Sequence, residues 1–418
     1  MSRVWRLVFS RPQIAKFFTI SSVRRGHERA GSEVEETTVA ATFLPVLNEV
    51  EKQRLHERQP LPEAYLGLSD DVMELRIAAA RAALGDRLVI LGHHYQRDEV
   101  IRFADYTGDS FKLSREIAKH PSADYIIFCG VHFMAESADI LALPHQQVIL
   151  PDLAAGCSMA DMVAPDQLET CWAELGQMGV AGRVVPVTYI NSAAAIKSFV
   201  GERGGTICTS SNAAGTLEWA WQQKEKILFL PDQHLGRNTA WKMGVPLEDI
   251  VVWDPFEPFG GLTKDALDRA RLILWKGHCS VHVRFTVKQI EAVRLQHPGV
   301  RVIVHPEVPF DVLQAADDSG STEYILKQVR DAEPGTTWAV GTEIHLVHRL
   351  AEEVSPAKTV LSLDQVGCLC STMFRVSPNH LLWVLEGLLD GEVYNRVTVS
   401  DEQKKWARIA LDRMLSIH

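Results

Sequence analysis

From about residue 70 the chain repeats one pattern: a short apolar run, a polar motif, then an amphipathic stretch. The apolar runs are RLVIL (87–91), YIIF (125–128), VIL (148–150), VVPVTYI (184–190), ILFL (227–230), IVVW (250–253), RVIV (301–304), TWAV (337–340) and TVLSL (359–363). Most are rich in branched residues, as parallel strands buried on both faces are. Residues 286–297, 321–332 and 345–354 carry the helical spacing of apolar positions. The alternation predicts an α/β fold with parallel sheets and crossover helices.

The polar motifs follow the strand ends. They are GHHYQ (92–96), CGVHF (129–133), PDLAAGCS (151–158), YINS (189–192), CTSSNA (208–213), PDQHLGR (231–237), HPE (305–307) and GTE (341–343). Ligands of open α/β sheets bind beyond the carboxyl ends of the strands. So many motifs exceed one crevice of one sheet, so several α/β domains are expected to converge on one cavity. No residue-level repeat is evident, and any internal symmetry is expected to be structural only.

Three cysteines bring in chemistry: Cys157 in AAGCSMAD, Cys279 in KGHCSVHV and Cys370 in VGCLCSTM. Each sits at a glycine-containing turn, where the backbone can approach a bulky inorganic group. They lie 122 and 91 residues apart, too far for a zinc knuckle. Three thiolates can hold three irons of a cubane cluster and leave the fourth open as a Lewis acid. Three unrelated thiols are the alternative reading. Cys129, Cys171 and Cys208 read as packing residues, and Cys368 competes with Cys370 for the third place.

Other motifs carry two readings each. His93, His94 and Tyr95 either face a ligand or cap backbone groups. Ser110, at a turn into a helix, suits a carboxylate. Tyr189 and Asn191, two apart on an extended run, face one side, unless the asparagine only closes a turn. Thr209, Ser210 and Ser211 at a predicted helix start suit a phosphate or carboxylate, or form an ordinary cap, and so do Ser321 and Thr322. His305-Pro306-Glu307 sets a histidine and a carboxylate for acid–base work, or for a structural ion pair.

The 418 residues imply two to four domains. A net charge of −10 with no basic face argues against nucleic acid. No apolar run reaches the ~20 residues of a membrane-spanning helix. Seven cysteines form no disulfide framework, so a reducing, cytoplasmic setting is expected. Six basic residues (Arg3, Arg6, Arg11, Lys16, Arg24, Arg25) precede the first acid, Glu28. Residues 1–40 read as a disordered extension, with a cleaved organellar leader as the alternative.

In order, these motifs resemble those of quinolinate synthase, the iron–sulfur enzyme of de novo NAD synthesis. The likeness runs from about residue 85 to 392. FVGERGG (199–205) and the Cys-Leu-Cys-Ser-Thr-Met ending resemble the longer bacterial subtype. The resemblance implies three α/β/α sandwich domains around a pseudo-threefold axis, at 60–155, 156–277 and 278–370, with C-terminal helices in 378–417 against the first. It implies a [4Fe-4S] cluster on Cys157, Cys279 and Cys370 with one open iron. Cys370, three residues before Met373, is selected over Cys368. His93, Ser110, Tyr189, Asn191, Ser210, His305, Glu307 and Thr322 would bind iminoaspartate and its condensation products, with Tyr95 a further site position.

The implied reaction condenses iminoaspartate with dihydroxyacetone phosphate to quinolinate, phosphate and two waters. Glu307 is the candidate base, and His305, Tyr95 and Tyr189 orient groups or donate protons. L-aspartate oxidase or aspartate dehydrogenase would supply iminoaspartate. Two positions depart from the family pattern: Val308 stands where cysteine is usual, and Ser280 where some members have histidine. An iron–sulfur hydro-lyase acting on another small dicarboxylate is the rival, and it leaves the Thr-Ser-Ser loop without a purpose. A metal- or redox-sensing protein would leave His93, Tyr189, Asn191 and His-Pro-Glu unexplained.

Overall fold

Every apolar run named above becomes a strand, and the strands fall into three sheets in the computed structural model, which describes residues 59–365 and 367–417. The basic leader and its two readings lie outside the described residues.

The first sheet contains β1 (Leu88–His93), β2 (Tyr106–Gly108), β3 (Tyr125–Cys129) and β4 (Gln147–Ile149). The second contains β5 (Val184–Tyr189), β6 (Thr206–Cys208), β7 (Lys226–Leu230), β8 (Ile250–Trp253) and β9 (Leu272–Trp275). The third contains β10 (Arg301–Val304), β11 (Asp318–Ser319), β12 (Thr337–Gly341) and β13 (Thr359–Ser362). A last strand, β14 (Arg396–Val397), pairs antiparallel with β4, while every other pair is parallel.

One strand order is drawn three times: β2-β1-β3-β4, β6-β5-β7-β9 and β11-β10-β12-β13. In each, the first strand in sequence is central and the last continues the side of the third. β8 and β14 extend two of the sheets at their edges. All residues of β1, β5 and β9 are buried, as continuous Val/Ile/Leu runs between two helical layers require.

Helices begin where the sequence supplies caps. Thr286 and Gln289 form a reciprocal capping box at the helix Val287–Gln296. Ser321 caps the helix Thr322–Asp331, and Glu343 caps Ile344–Val354. The helix expected to begin at Thr209 begins instead at Ala213. The Asn212 side chain accepts the Thr209 N–H at 2.8 Å, which holds 209–212 as a turn.

The chain leaves each sheet through a cysteine turn. After β4 it passes Cys157 and enters the helix Pro165–Gln177, whose Leu168 and Leu175 pack with Val184 and Leu228 of the second sheet. After β9 it passes Cys279 to reach Val287–Gln296, whose Ile290 and Val293 pack with Val302 of the third. After β13 it passes Cys370 and returns through the helix Pro378–Leu389, which lies on Asp70–Leu84 beside the first sheet. The final helix, Asp401–Ser416, lies mainly on Ala194–Glu202 and β6 of the second sheet. Gly201 permits that approach, since a Cβ there would sit 2.0 Å from the Trp406 carbonyl oxygen. Lys404 also reaches Asp139 at 2.8 Å, which ties the same helix to the first sheet's side.

Candidate active site

One cavity is lined by residues from the carboxyl ends of all three sheets. Every residue assigned to the site by the resemblance lines it: His93, Tyr95, Ser110, Cys157, Tyr189, Asn191, Ser210, Cys279, His305, Glu307, Thr322 and Cys370. The shared strand order explains their arrangement. Each central strand ends in a pair two residues apart: His93/Tyr95 after β1, Tyr189/Asn191 after β5 and His305/Glu307 after β10. Each second strand leads to one hydroxyl: Ser110, Ser210 and Thr322. Each fourth strand leads to one thiol.

The first and third pairs share a local turn. The Tyr95 N–H donates to His93 Nδ1 at 3.2 Å, and the Glu307 N–H to His305 Nδ1 at 3.4 Å. Burial pushes both imidazoles down to about 3, so both rings are neutral near pH 7. Glu307 is 2% exposed. Burial pushes its carboxyl up, but the His305 and His282 rings and hydrogen bonds from His282 and Tyr189 outweigh that and hold it below the usual range. Burial and then Glu307 itself push Asp232 well up.

Sequence reading passed over His282 and Thr342. His282 Nδ1 meets Glu307 Oε2 at 2.7 Å, and its Nε2 meets Thr342 Oγ1 at 3.1 Å. Thr342 Oγ1 lies 2.9 Å from the Tyr95 hydroxyl. A carboxylate only accepts, so His282 Nδ1 carries the proton facing Glu307. Thr342 thus stands between His282 and Tyr95, and one hydrogen-bonded chain links Tyr95 of the first sheet to Glu307 of the third. The signal was weak in sequence, because a histidine three residues after a cysteine and a threonine beside Gly341 are both common.

The hydroxyls sit at chain turns with free amides. Ser110 opens the helix Ser110–Ile117, capped by Asp109, and Thr322 opens Thr322–Asp331. Asp109 also accepts from the Ser211 hydroxyl at 2.8 Å, which joins the first and second sheets beside the cavity. His94 turns away from the site residues to Glu323 at 2.9 Å. Among the described residues no lysine or arginine lines the cavity, so an anion there meets neutral donors and helix N-termini.

The three cysteine turns repeat closely. Each reads Cys-Ser, and each cysteine is followed three residues on by a short 3₁₀ helix: Ala160–Met162, His282–Arg284 and Met373–Arg375. Each cysteine carbonyl accepts the N–H four residues ahead, at 3.1, 3.1 and 3.0 Å. Each sulfur accepts at least one backbone N–H from its own turn. Burial pushes all three thiols up, Cys157 to about 12. All three are half-buried, whereas the other four cysteines are fully buried. Gly277 lets the second turn lie against Pro231, where a Cβ would meet its carbonyl oxygen at 2.4 Å. Cys368 does not line the cavity. Its sulfur donates to Asp364 at 2.9 Å within the third sheet's core.

This donor set fits an iron–sulfur group. Three thiols on one cavity, each accepting at least one backbone N–H from its own turn, are what a cluster held by thiolates requires.

The comparisons agree with this geometry. The family described as "Quinolinate synthetase A protein" matches residues 76–416. A quinolinate synthase of Acidobacterium capsulatum is 59% identical over 355 residues, 84% of this chain and 95% of that protein. One of Nocardioides sp. is 57% identical over 356 residues, 84% of this chain and 90% of that protein. One of Rhodopirellula baltica is 47% identical over 395 residues, 92% of this chain and all of that protein. With the likeness spanning all three sheets and the cavity between them, the chain belongs to the quinolinate synthase family.

Proposed function

We propose that the cavity condenses iminoaspartate with dihydroxyacetone phosphate, giving quinolinate, phosphate and two waters for NAD biosynthesis. One observation carries this: three thiols, three hydroxyls and three strand-end pairs, each set drawn once from every sheet, line one cavity. Cys157, Cys279 and Cys370 would hold a [4Fe-4S] cluster with one open iron. When bound, that iron supplies Lewis-acid polarisation of a departing hydroxyl.

The chain's own groups do the rest. Ser110, Ser210 and Thr322, with adjacent N–H groups, bind the phosphate and carboxylate oxygens. His93, Asn191 and His305 orient the dicarboxylate as neutral donors. Glu307 takes protons from carbon or nitrogen in the condensing substrates. Tyr189, bonded to Glu307, and Tyr95, bonded to Thr342, hold or return protons at their hydroxyl oxygens. Burial in a dry wall strengthens each of these interactions.

On this reading the sheets are the cores of three domains, near 60–155, 156–277 and 278–370, and the chain works in the cytoplasm. Iminoaspartate would come from an L-aspartate oxidase or aspartate dehydrogenase. The test feeds iminoaspartate and dihydroxyacetone phosphate to anaerobically reconstituted protein. Quinolinate in stoichiometry with released phosphate is expected. Phosphate release without quinolinate, or no turnover of chromophore-bearing protein, overturns the proposal.

A further inference from the structure

The second cysteine turn differs from the other two at its fourth position. Ala160 and Met373 follow Cys157 and Cys370, whereas His282 follows Cys279. His282 is 1% exposed and Glu307 2% exposed, and their side chains meet at 2.7 Å. Ligand atoms of Cys279, His282 and Glu307 all lie within 4.8 Å of one another. A thiolate, an imidazole and a carboxylate converging on one open cavity form the donor set of a three-ligand metal site with a fourth position free.

We infer that the chain without its cluster binds a single divalent transition-metal ion, of the Zn²⁺ type, through Cys279, His282 and Glu307. The donors select the ion. Sulfur and imidazole disfavour Mg²⁺ and Ca²⁺, which take oxygen ligands, and favour Zn²⁺, Co²⁺ and Fe²⁺. Charge favours it too. Glu307 is a buried anion with no lysine or arginine among the described residues of the cavity wall, and a cation there offsets its desolvation. Water fills the fourth position. Binding releases the Cys279 proton and shifts the His282 proton from Nδ1 to Nε2, where Thr342 accepts it, so the thiolate and carboxylate together balance the dication.

The site itself does not depend on the proposed function; only its consequence does. Cys279 serves either the single ion or a cluster, so the two occupancies exclude each other. An ion there also withdraws Glu307 from Tyr189. A chain that has lost its cluster, or has not yet received one, is held in a blocked state until the ion leaves.

Full-length cluster-free protein, stripped with a chelator, is titrated with Co²⁺ under argon. The expected result is one equivalent bound, a thiolate-to-cobalt absorption band, displacement by Zn²⁺ and no competition from Mg²⁺. The band should survive in Cys157→Ser/Cys370→Ser and vanish in Cys279→Ser. His282→Asn should weaken binding by at least about tenfold. Circular dichroism identifies any variant that fails to fold. Glu307→Gln then replaces it, and the same weakening is expected. A band that survives Cys279→Ser, a band lost in Cys157→Ser/Cys370→Ser, or no stoichiometric binding by folded protein overturns the inference. Iron–sulfur reconstitution of Cys157→Ser/Cys370→Ser tests the cluster separately. Loss of the brown chromophore with the cobalt band retained supports both readings, and a retained chromophore removes the cluster assignment while leaving the ion site standing.

Discussion

The cysteine turns and the central-strand ends occupy equivalent places in the three sheets, yet they have diverged to different extents. The cysteine turns keep residue type, 3₁₀ helix and hydrogen bonds in every copy. The strand ends read His/Tyr, Tyr/Asn and His/Glu, with only the spacing retained. The physical demand explains the contrast. On the proposed function, a compact inorganic group would offer equivalent corners to three sheets, so one turn serves three times, whereas two dissimilar organic substrates would offer carboxylates, an imine and a phosphate to different walls, and each wall must answer differently.

The largest effects should fall on the repeated turns, and equally. Cys157→Ser, Cys279→Ser and Cys370→Ser should each lose the chromophore and all activity on reconstitution. One variant that keeps both breaks the equivalence. Next come the strand ends, where effects should be unequal. Glu307→Gln should keep the chromophore and lower kcat by about 10²–10⁴-fold, the range of a lost general base. If Asn191→Ala costs kcat as much, the two walls are not specialised as described. The hydroxyls should matter less. Ser210→Ala and Thr322→Ala each remove one neutral hydrogen bond, so KM should rise by about 2- to 10-fold with kcat little changed.

Acidity probes the first pair through stability. Burial lowers His93 to about 3 from an ordinary 6.5. Between those values the unfolded chain binds the extra proton, so stability rises with pH across the window and is lost on acidification. In cluster-free protein, His93→Asn should lose less melting temperature between pH 7 and pH 5 than the parent does. An equal drop assigns the acid sensitivity elsewhere. The smallest effect should be Cys368→Ser, which costs about 1 kcal/mol of stability and leaves chromophore and activity intact. Loss of the chromophore there would move the third ligand by two residues.

Much of this was legible in the chain because strong local signals carried it. Long apolar runs such as VVPVTYI and RVIV gave the central strands. β2, β11 and β14 span only two or three residues and carry no periodicity, so they were not foreseen. The Cys-Ser repeat was in plain sight, but two residues recurring at 122 and 91 positions do not form a sequence repeat. It becomes one only when the strand orders are superposed. His282 and Thr342 gain meaning from partners 25 and 247 residues away, and no linear window holds such pairs.

The passage of the chain through a cysteine at every exit from a sheet has a mechanical consequence. Any group bonded to all three sulfurs is a rivet through three joints of a closed ring, since the chain returns to the first sheet after Cys370. It shortens every path between sheets at once, and by tying points about a hundred residues apart it removes loop freedom from the unfolded chain. Oxygen damage at such a rivet is then also an architectural event.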